Sequence, residues 1–314
     1  MDAFGKETAR EEGRKKDFTT RASIYRKPLR GLRILVAEDN PTNQEVAQAL
    51  LEGAGIITTI VDNGQEAVEA VRNNPFDAVL MDIQMPKLNG YDATRQIREM
   101  PQGGSIPIVA MTAHAMKGDE EKCLEAGMDG YVAKPVSQDR LFHTLWRLLR
   151  HRRPLSETET PEEEKPAESE ADRPSDLEKK RLRTPEQAAE KGAILPDRLP
   201  GIDIEKSLGA MNIDESTVRH ILSGFASDNR DTAENIRKAG AESDWERMRQ
   251  LAHSLKGSAA SIGADELNEK AKALESACLR TGAAAGQPPD MEDRITELES
   301  ALKQVLASIQ SLEE

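Results

Sequence analysis

Five short apolar runs alternate with helix-length segments between residues 32 and 152. The runs begin at Arg33, Ile56, Asp77, Ile106 and Gly130. Such alternation is typical of βαβ units, in which a parallel sheet is covered by helices on both faces. The pattern therefore predicts an α/β domain of five strands and five helices at residues 31–152.

The segments that flank this domain have few apolar residues to bury. Residues 1–30 are charged and lack a sustained apolar period, so we expect a mobile arm. Residues 153–199 are rich in Pro, Ser and Glu and are predicted to form an acidic linker. A basic cluster at 179–183 could be a nucleic-acid patch, but the flanking acidic residues favour a solvated segment.

Residues 200–314 have a helical pattern throughout, which predicts an all-α domain. After a short segment, longer helices are expected near 215–239, 244–262, 265–281 and 290–313. The last of these has apolar residues at alternating spacings of three and four, as in a helix that packs lengthwise against its neighbours. We therefore predict a four-helix bundle, in which Ser243 and Glu246 form a capping box at the second helix.

Polar residues stand at the ends of four of the five predicted strands. Glu38 and Asp39 follow the first strand, Asp82 ends the third, Thr112 ends the fourth and Lys134 follows the fifth. Open α/β sheets build their sites beyond the carboxyl ends of the strands, so these side chains should converge. Acids this close stay ionised when a cation lies between them, and an oxygen-rich site suits Mg²⁺.

These motifs, VAEDN, LMDIQMP, MTAHA and YVAKP, resemble the receiver domain of two-component response regulators over residues 32 to about 150. Asn40 and Asn43 in EDNPTNQ look like the version found in hybrid histidine kinases. The resemblance implies a flavodoxin-like (βα)5 fold with strand order 2-1-3-4-5. A rival chemistry, that of phosphatases with an aspartate nucleophile, fits less well, because the common family has DxD after the first strand where this chain has EDN.

The resemblance also implies roles for the converging residues. Asp82 would be the phosphoacceptor, and Mg²⁺ would be bound by Asp39, Asp82 and the backbone carbonyl of Gln84, with Glu38 acting through water. Thr112 and Lys134 would stabilise the phosphoryl group, and Thr112 and Tyr131 would move together on activation. Such a domain catalyses its own Mg²⁺-dependent phosphorylation and slow autodephosphorylation.

His253 in LAHSLKGSAASIGA is the candidate site of the helical domain. Leucines two positions away on either side lie about 200° round the helix, so we expect His253 to face solvent. Gly257 costs about 1 kcal/mol in a helix relative to Ala and would leave bare backbone for another protein's active site to approach. Arg249 and Lys256 are expected to favour a phosphorylated imidazole.

The run HSLKGSA resembles the HxxKG motif of the histidine phosphotransfer (Hpt) domain, and the resemblance covers about residues 200–314. It implies that His253 is a phosphoacceptor supported by Lys256 and Gly257. Neither domain has a GxxxxGK[ST] loop or the lid of a histidine kinase ATP domain, so we expect no ATP-dependent kinase activity.

Together the two resemblances predict a phosphorelay intermediate. Asp82 would accept a phosphoryl group from an upstream histidine kinase, and His253 would carry one to or from the aspartate of a downstream receiver. Direct transfer between them in one chain is left open, as is the choice between a stand-alone protein and part of a hybrid kinase. The alternative is a regulatory adaptor whose receiver binds a partner through its fourth helix, fifth strand and fifth helix, with the bundle as scaffold.

Charge and composition restrict the partners. The net charge of −13 disfavours nucleic acid and anionic membranes. No apolar run approaches the roughly 18 residues of a transmembrane helix, so we predict a cytoplasmic protein without membrane insertion. Cys123 and Cys278 have no CxxC context and are expected to be inert thiols. His114 could tune the loss of phosphate from Asp82.

Overall fold

The structure, a computed structural model, describes residues 25–26, 28–101, 103–112, 117–150, 195–211, 213–283 and 290–312. Several predictions lie outside the described residues: most of the arm, most of the linker with its basic cluster, and the role of His114. Among the described residues, no helix is both long and apolar enough to cross a membrane.

The first domain is a five-stranded parallel sheet flanked by five helices, as predicted. Its strands are β1 (Arg33–Ala37), β2 (Ile57–Val61), β3 (Ala78–Asp82), β4 (Ile108–Thr112) and β5 (Gly130–Ala133). Its helices are α1 (Pro41–Glu52), α2 (Gly64–Asn73), α3 (Gly90–Arg98), α4 (Lys117–Glu125) and α5 (Gln138–Leu149). The strand order β2-β1-β3-β4-β5 confirms the predicted flavodoxin-like topology.

The sheet separates two apolar layers, because successive residues of a strand point to opposite faces. In β1, Ile34 and Val36 join the layer that contains Leu50 of α1. Leu35 of the same strand joins the layer that contains Ile97 of α3. The sheet is therefore buried on both faces, and its polar residues are confined to the strand ends.

The second domain begins with the antiparallel strands β6 (Arg198–Leu199) and β7 (Ile202–Asp203) and a 3₁₀ turn at Gly209–Met211. Its helices are α6 (Glu215–Asp228), α7 (Thr232–Ala241), α8 (Trp245–Ser261), α9 (Asp265–Ala283) and α10 (Met291–Gln310). Helices α7 to α10 close a ring, since each contacts the next and α10 also contacts α7. This arrangement is the predicted four-helix bundle, with α6 packed against α10.

The prediction of one continuous helix at 215–239 is wrong, because the chain breaks between α6 and α7. Asn229 donates a side-chain hydrogen bond to the carbonyl of Phe225 at 3.0 Å and accepts one from the hydroxyl of Thr232 at 3.3 Å. Local side-chain bonds of this kind compete with the helical backbone pattern. The two helices therefore follow one another alongside α10 in place of one longer helix.

The predicted capping box is also wrong. Asp244 is the N-cap of α8, and its carboxylate accepts a hydrogen bond from the backbone of Arg247 at 3.0 Å. Ser243 has a φ of +55°, outside the extended conformation usual for an N-cap residue. Glu246 instead pairs with Arg249, with an Nη2 to Oε1 distance of 2.7 Å.

Residues at the edges of the predicted arm and linker are folded. Leu29 is buried in the core of the first domain, and the ring of Tyr25 contacts His143 and Trp146 of α5. Leu195 packs against the apolar core, just before β6. The ordered boundaries of both domains therefore extend a few residues beyond the predicted ones.

The two domains pack against each other through α1. This helix contacts α6 and α8 of the bundle, and one continuous cluster of buried apolar side chains includes residues of both domains. A hydrogen bond of 3.0 Å from Gln138 to the carbonyl of Met211 adds a second point of contact. The carboxyl edge of the sheet thus faces the helix that carries His253.

Candidate functional site

Three carboxylates meet at the carboxyl edge of the sheet, as predicted. Glu38 and Asp39 follow β1, Asp82 ends β3, and one carboxylate oxygen from each lies within 4.8 Å of the others. Glu38 and Asp82 are buried, whereas Asp39 is exposed. Three acids at this distance repel one another, so their ionised forms need a compensating cation.

Lys134 supplies part of that compensation. Its Nζ lies 2.5 Å from Oε2 of Glu38 and 2.8 Å from Oδ2 of Asp82. Burial lowers the pKa of Lys134, but the two carboxylates more than offset this and raise it above its usual value. Lys134 is therefore a fixed positive charge in direct contact with the predicted phosphoacceptor.

One lysine does not neutralise all three acids. Burial raises the pKa of Glu38 to about 7, against the opposing effect of Lys134 and with a further contribution from Asp82. Although part of the Asp39 side chain is exposed, the protein around its carboxylate displaces water, and this effect and then the charge of Asp82 raise its pKa to about 6. The donor set consists of hard carboxylate oxygens with an excess of negative charge, and it fits a divalent cation such as Mg²⁺.

Two features that are not among the predicted roles hold this edge in place. Asn43 donates a hydrogen bond from Nδ2 to Oε1 of Glu38 at 2.8 Å, which fixes the carboxylate that faces Lys134. Gly90 begins α3 so close to β3 that a methyl carbon there would lie 2.1 Å from the carbonyl oxygen of Asp82. The Asn-Gly pair just before a helical pattern is the sequence signal for such a close approach.

The other predicted receiver residues occupy two different places. Gln84 lies in the loop after β3, where its backbone N–H donates to Oδ1 of Asp82 at 3.2 Å. Thr112 is buried at the end of β4, and its carbonyl accepts a hydrogen bond from the backbone of Lys134 at 2.7 Å. Tyr131 is instead on the outer surface, beside a cavity of about 400 Å³ between α4, β5 and α5.

His253 does not face solvent as predicted, because it is half-buried between α9 and the first domain. Its Nδ1 lies 2.6 Å from Oε1 of Glu275, whose other oxygen accepts from the Nζ of Lys256 at 2.6 Å. Lys256 is buried, and Nζ is 3.4 Å from Nδ1 of His253. Glu275, which is not among the predicted site residues, is therefore the central residue of this cluster.

The carboxylate of Glu275 determines the tautomer of the imidazole. Burial raises its pKa, but the hydrogen bonds from His253 and Lys256 outweigh this and lower it to about 2. An ionised carboxylate can only accept a hydrogen bond, so Nδ1 of His253 must carry the proton. The Nε2 nitrogen then has the free lone pair.

Arg249, which is predicted to support the histidine, forms its hydrogen bonds with Glu246. These bonds are the largest cause of its raised pKa, and the negative charge of Glu275 adds to the effect. Its support of His253 remains a prediction. Gly257 does lie at the predicted bare patch, and a methyl carbon there would be 3.2 Å from Nδ2 of Asn43. The group that approaches this glycine is thus part of the first domain of the same chain.

Hydrogen bonds between the domains bring the two predicted sites together. Asn40 donates from Nδ2 to the hydroxyl of Ser254, the residue after His253, at 2.8 Å. Ser261 donates to Oδ1 of Asn43 at 2.7 Å. His253 is also close enough to Asp39 to affect its pKa. The effect of His253 is to lower this pKa, and it is smaller than the effect of burial, which raises the pKa. The imidazole therefore lies beside the acidic cluster that contains Asp82.

Comparison with known families agrees with this geometry. Residues 34–145 match the family model of the response regulator receiver domain, and residues 220–310 match that of the Hpt domain. The chain is a receiver domain joined to an Hpt domain. The family matches thus fall on the two domains that carry the acidic cluster and the histidine cluster.

Similar proteins include histidine kinases from distant organisms. Histidine kinase 1 of Arabidopsis thaliana is 39% identical over an alignment of 159 residues that covers 40% of this chain and 13% of that protein. The signal transduction histidine-protein kinase BarA of Escherichia coli is 43% identical over 114 residues, which are 36% of this chain and 12% of that protein. This chain thus spans a small part of the length of these relatives.

A solved structure, the receiver domain of a sensor histidine kinase of Pseudomonas aeruginosa, is 45% identical to the first domain. It covers 38% of this chain and 98% of its own length, with a TM-score of 0.37, and has a magnesium ion coordinated in its active-site cleft.

Proposed function

We propose that this protein is a phosphorelay intermediate in which Asp82 accepts a phosphoryl group and passes it to His253 of the same chain. The observation that carries the proposal is the contact between Asn40 and Ser254, because it holds the helix of His253 beside the acidic cluster. The upstream donor would be a phosphohistidine of a histidine kinase. The downstream acceptor would be an aspartate of another receiver.

In the first step, a carboxylate oxygen of Asp82 attacks phosphorus of the donor phosphohistidine. A P–O bond forms, the P–N bond breaks, and the donor imidazole leaves with its electron pair. Lys134, 2.8 Å from Asp82, balances negative charge on the phosphoryl oxygens. Glu38, Asp39 and Asp82, with the carbonyl of Gln84, would hold Mg²⁺, which when bound stabilises charge on the transferring group.

In the second step, Nε2 of His253 attacks phosphorus of the acyl phosphate. The P–N bond forms, the P–O bond to Asp82 breaks, and the aspartate carboxylate is regenerated. The proton on Nδ1 stays in its hydrogen bond with Glu275, whose negative charge stabilises the positive charge that develops on the ring. Reversal of the same step would return the phosphoryl group to the receiver.

The test uses radiolabelled acetyl phosphate and Mg²⁺ with the full chain. Wild type should carry both base-labile acyl phosphate and acid-labile phosphohistidine. Asp82→Asn should carry neither, and His253→Gln should carry acyl phosphate alone. His143→Gln, which changes an exposed histidine of α5, is the matched control and should behave as wild type.

Two results would contradict the proposal. Absence of label from wild type would remove the phosphorelay function altogether. Phosphohistidine in the Asp82→Asn variant would show that His253 is loaded without the receiver, and would remove direct transfer within the chain.

The adaptor function is the second candidate, and the exposed residues of the α4–β5–α5 surface favour it. Tyr131 and Leu124 are exposed there beside the cavity between these elements. In this case a partner would bind the phosphorylated receiver, and His253→Gln would leave that binding unchanged. Loss of partner binding in His253→Gln would exclude the adaptor function.

A further inference from the structure

Gly224 lies in the middle of α6 and faces α1 of the receiver. Glycine is disfavoured inside helices because it loses much backbone entropy, so its presence calls for a packing reason. A methyl carbon at this position would lie 2.9 Å from Oε2 and 3.1 Å from Oε1 of Glu45. The atoms that a side chain here would meet are at the flexible end of Glu45, so a methyl group needs only a shift of the carboxylate, whereas a large side chain needs the whole space that Glu45 occupies.

Glu45 reaches this position at an energetic disadvantage. Its Oε1 lies 3.7 Å from Nε2 of His220, which is too far for a hydrogen bond. Its Oε2 is buried and has no hydrogen-bond partner among the residues that the structure describes. A carboxylate oxygen that is buried without a hydrogen bond weakens the contact that buries it, even though 31% of the Glu45 side chain is exposed. Glu45 therefore does not serve to strengthen docking.

A second glycine of the bundle meets α1 in the same way. Gly257 of α8 leaves room for Asn43, whose Nδ2 would be 3.2 Å from an added methyl carbon. Gly224 and Gly257 therefore line a groove between α6 and α8 that accepts two long polar side chains of α1. Gly257 belongs to the HxxKG motif, whereas Gly224 lies outside it.

We infer that Glu45 and Gly224 form a size-selective contact by which this receiver chooses its phosphotransfer domain. A receiver with glutamate at this position of α1 docks on a bundle with glycine at the position of Gly224 and is hindered by a large side chain there. The receiver thereby rejects other phosphotransfer domains and directs the phosphoryl group of Asp82 to His253 of its own chain. This inference rests on the proposed function.

The test combines a larger residue at Gly224 with a smaller one at Glu45 in the full chain. After loading with radiolabelled acetyl phosphate, the initial rate of phosphohistidine formation is measured at several protein concentrations. Gly224→Leu should lower this rate at least about tenfold, equivalent to about 1.4 kcal/mol of lost docking, while the initial rate of acyl phosphate formation on Asp82 should not fall. Adding Glu45→Ala should restore the rate, because it removes the carboxylate that collides with the new side chain.

Matched variants separate this effect from a folding defect. Ser227→Leu places the same side chain on an exposed position of α6 and should transfer at the wild-type rate. Leucine has a higher helix propensity than glycine, so helix content by circular dichroism should not fall in Gly224→Leu. If that variant nevertheless unfolds, Gly224→Met with and without Glu45→Ala makes the same comparison with another large side chain.

Each outcome bears on the inference. A wild-type rate in Gly224→Leu, or failure of Glu45→Ala to rescue a folded Gly224→Leu, would overturn it while the phosphorelay function stands. A rate that rises with protein concentration in wild type would overturn the choice of the same chain as partner. Absence of phosphohistidine from wild type would instead remove the proposed function itself.

Discussion

Replacing Glu275 with leucine should destabilise the bundle, because Lys256 would be left buried without its partner. The hydrogen bonds of His253 and Lys256 lower the pKa of Glu275 from its usual 4.5 to about 2 despite burial. At about 1.4 kcal/mol per pH unit, this difference corresponds to about 3 kcal/mol of stability at neutral pH. Loss of one partner of a buried ion pair typically costs about 3–5 kcal/mol, which agrees with this value.

The pH dependence has a definite sign. The folded-state pKa of Glu275 is below the unfolded value, so its contribution is fully present above about pH 4.5. The contribution is lost as the pH falls from 4.5 towards 2. The stability difference between wild type and Glu275→Leu should therefore shrink over this acidic range and stay constant above it.

The chain offers a local reporter for the measurement. It has two tryptophans, Trp146 in the receiver and Trp245 at the start of α8. In a Trp146→Phe background, urea unfolding followed by tryptophan fluorescence reports on the bundle alone. Glu299→Leu is the control, because its partner Arg237 is half exposed and the pair should contribute about 1 kcal/mol or less.

A double variant tests whether the loss of stability comes from the unpaired charge of Lys256 or from the lost packing of Glu275. Lys256→Met with Glu275→Leu replaces the buried pair by apolar side chains and should recover most of the lost stability. Equal urea midpoints for Glu275→Leu and Glu299→Leu would refute the reasoning. So would a double variant that is less stable than Glu275→Leu, since the ammonium would then not be the cause of the loss.

Two further predictions concern the receiver. Gly90→Ala should lower its free energy of unfolding by roughly 1–3 kcal/mol and slow the labelling of Asp82, because the new methyl group overlaps the backbone of β3. Urea unfolding of the receiver is followed by Trp146 fluorescence in a Trp245→Phe background. Gly104→Ala is the control and should leave this unfolding unchanged, because the nearest atom to its new methyl carbon is 3.9 Å away. Chelation of divalent cations with EDTA should lower the initial rate of acyl phosphate formation at least about tenfold, equivalent to about 1.4 kcal/mol, and so should Lys134→Met. Labelling that persists in EDTA would exclude a divalent cation from the first step.

The strands of the receiver and its acidic cluster could be predicted because short stretches of sequence specify them. Each strand is an apolar run, and the residue that ends or follows the run is polar, so parallel pairing alone brings Asp82 and Lys134 to one edge. The acidic cluster follows from this arrangement, whereas the strand order is predicted by the resemblance to receiver domains. The exposure of Tyr131 away from the cluster depends on side-chain alternation in β5, which a single motif does not reveal.

The environment of His253 could not be predicted, because it depends on elements distant in sequence. Helical periodicity places the imidazole opposite one apolar stripe, but Glu275 comes from the next helix and Asn40 from the other domain. Lysine three residues after the histidine suggests direct stabilisation of phosphate, whereas Lys256 neutralises Glu275 in the structure. Tertiary contacts determined these roles.

The position of α8 beside the acidic cluster has a consequence for the flux of phosphate in the proposed relay. Asp82 is 4% exposed, and Asn40 holds α8 next to the acidic cluster, so a donor kinase would approach over the surface that α8 covers. Loading and unloading of the aspartate would then not overlap in time, and the domains would part once in every cycle. The steady-state turnover of such a relay would be limited by how often this contact opens whenever the chemical step is faster than the opening.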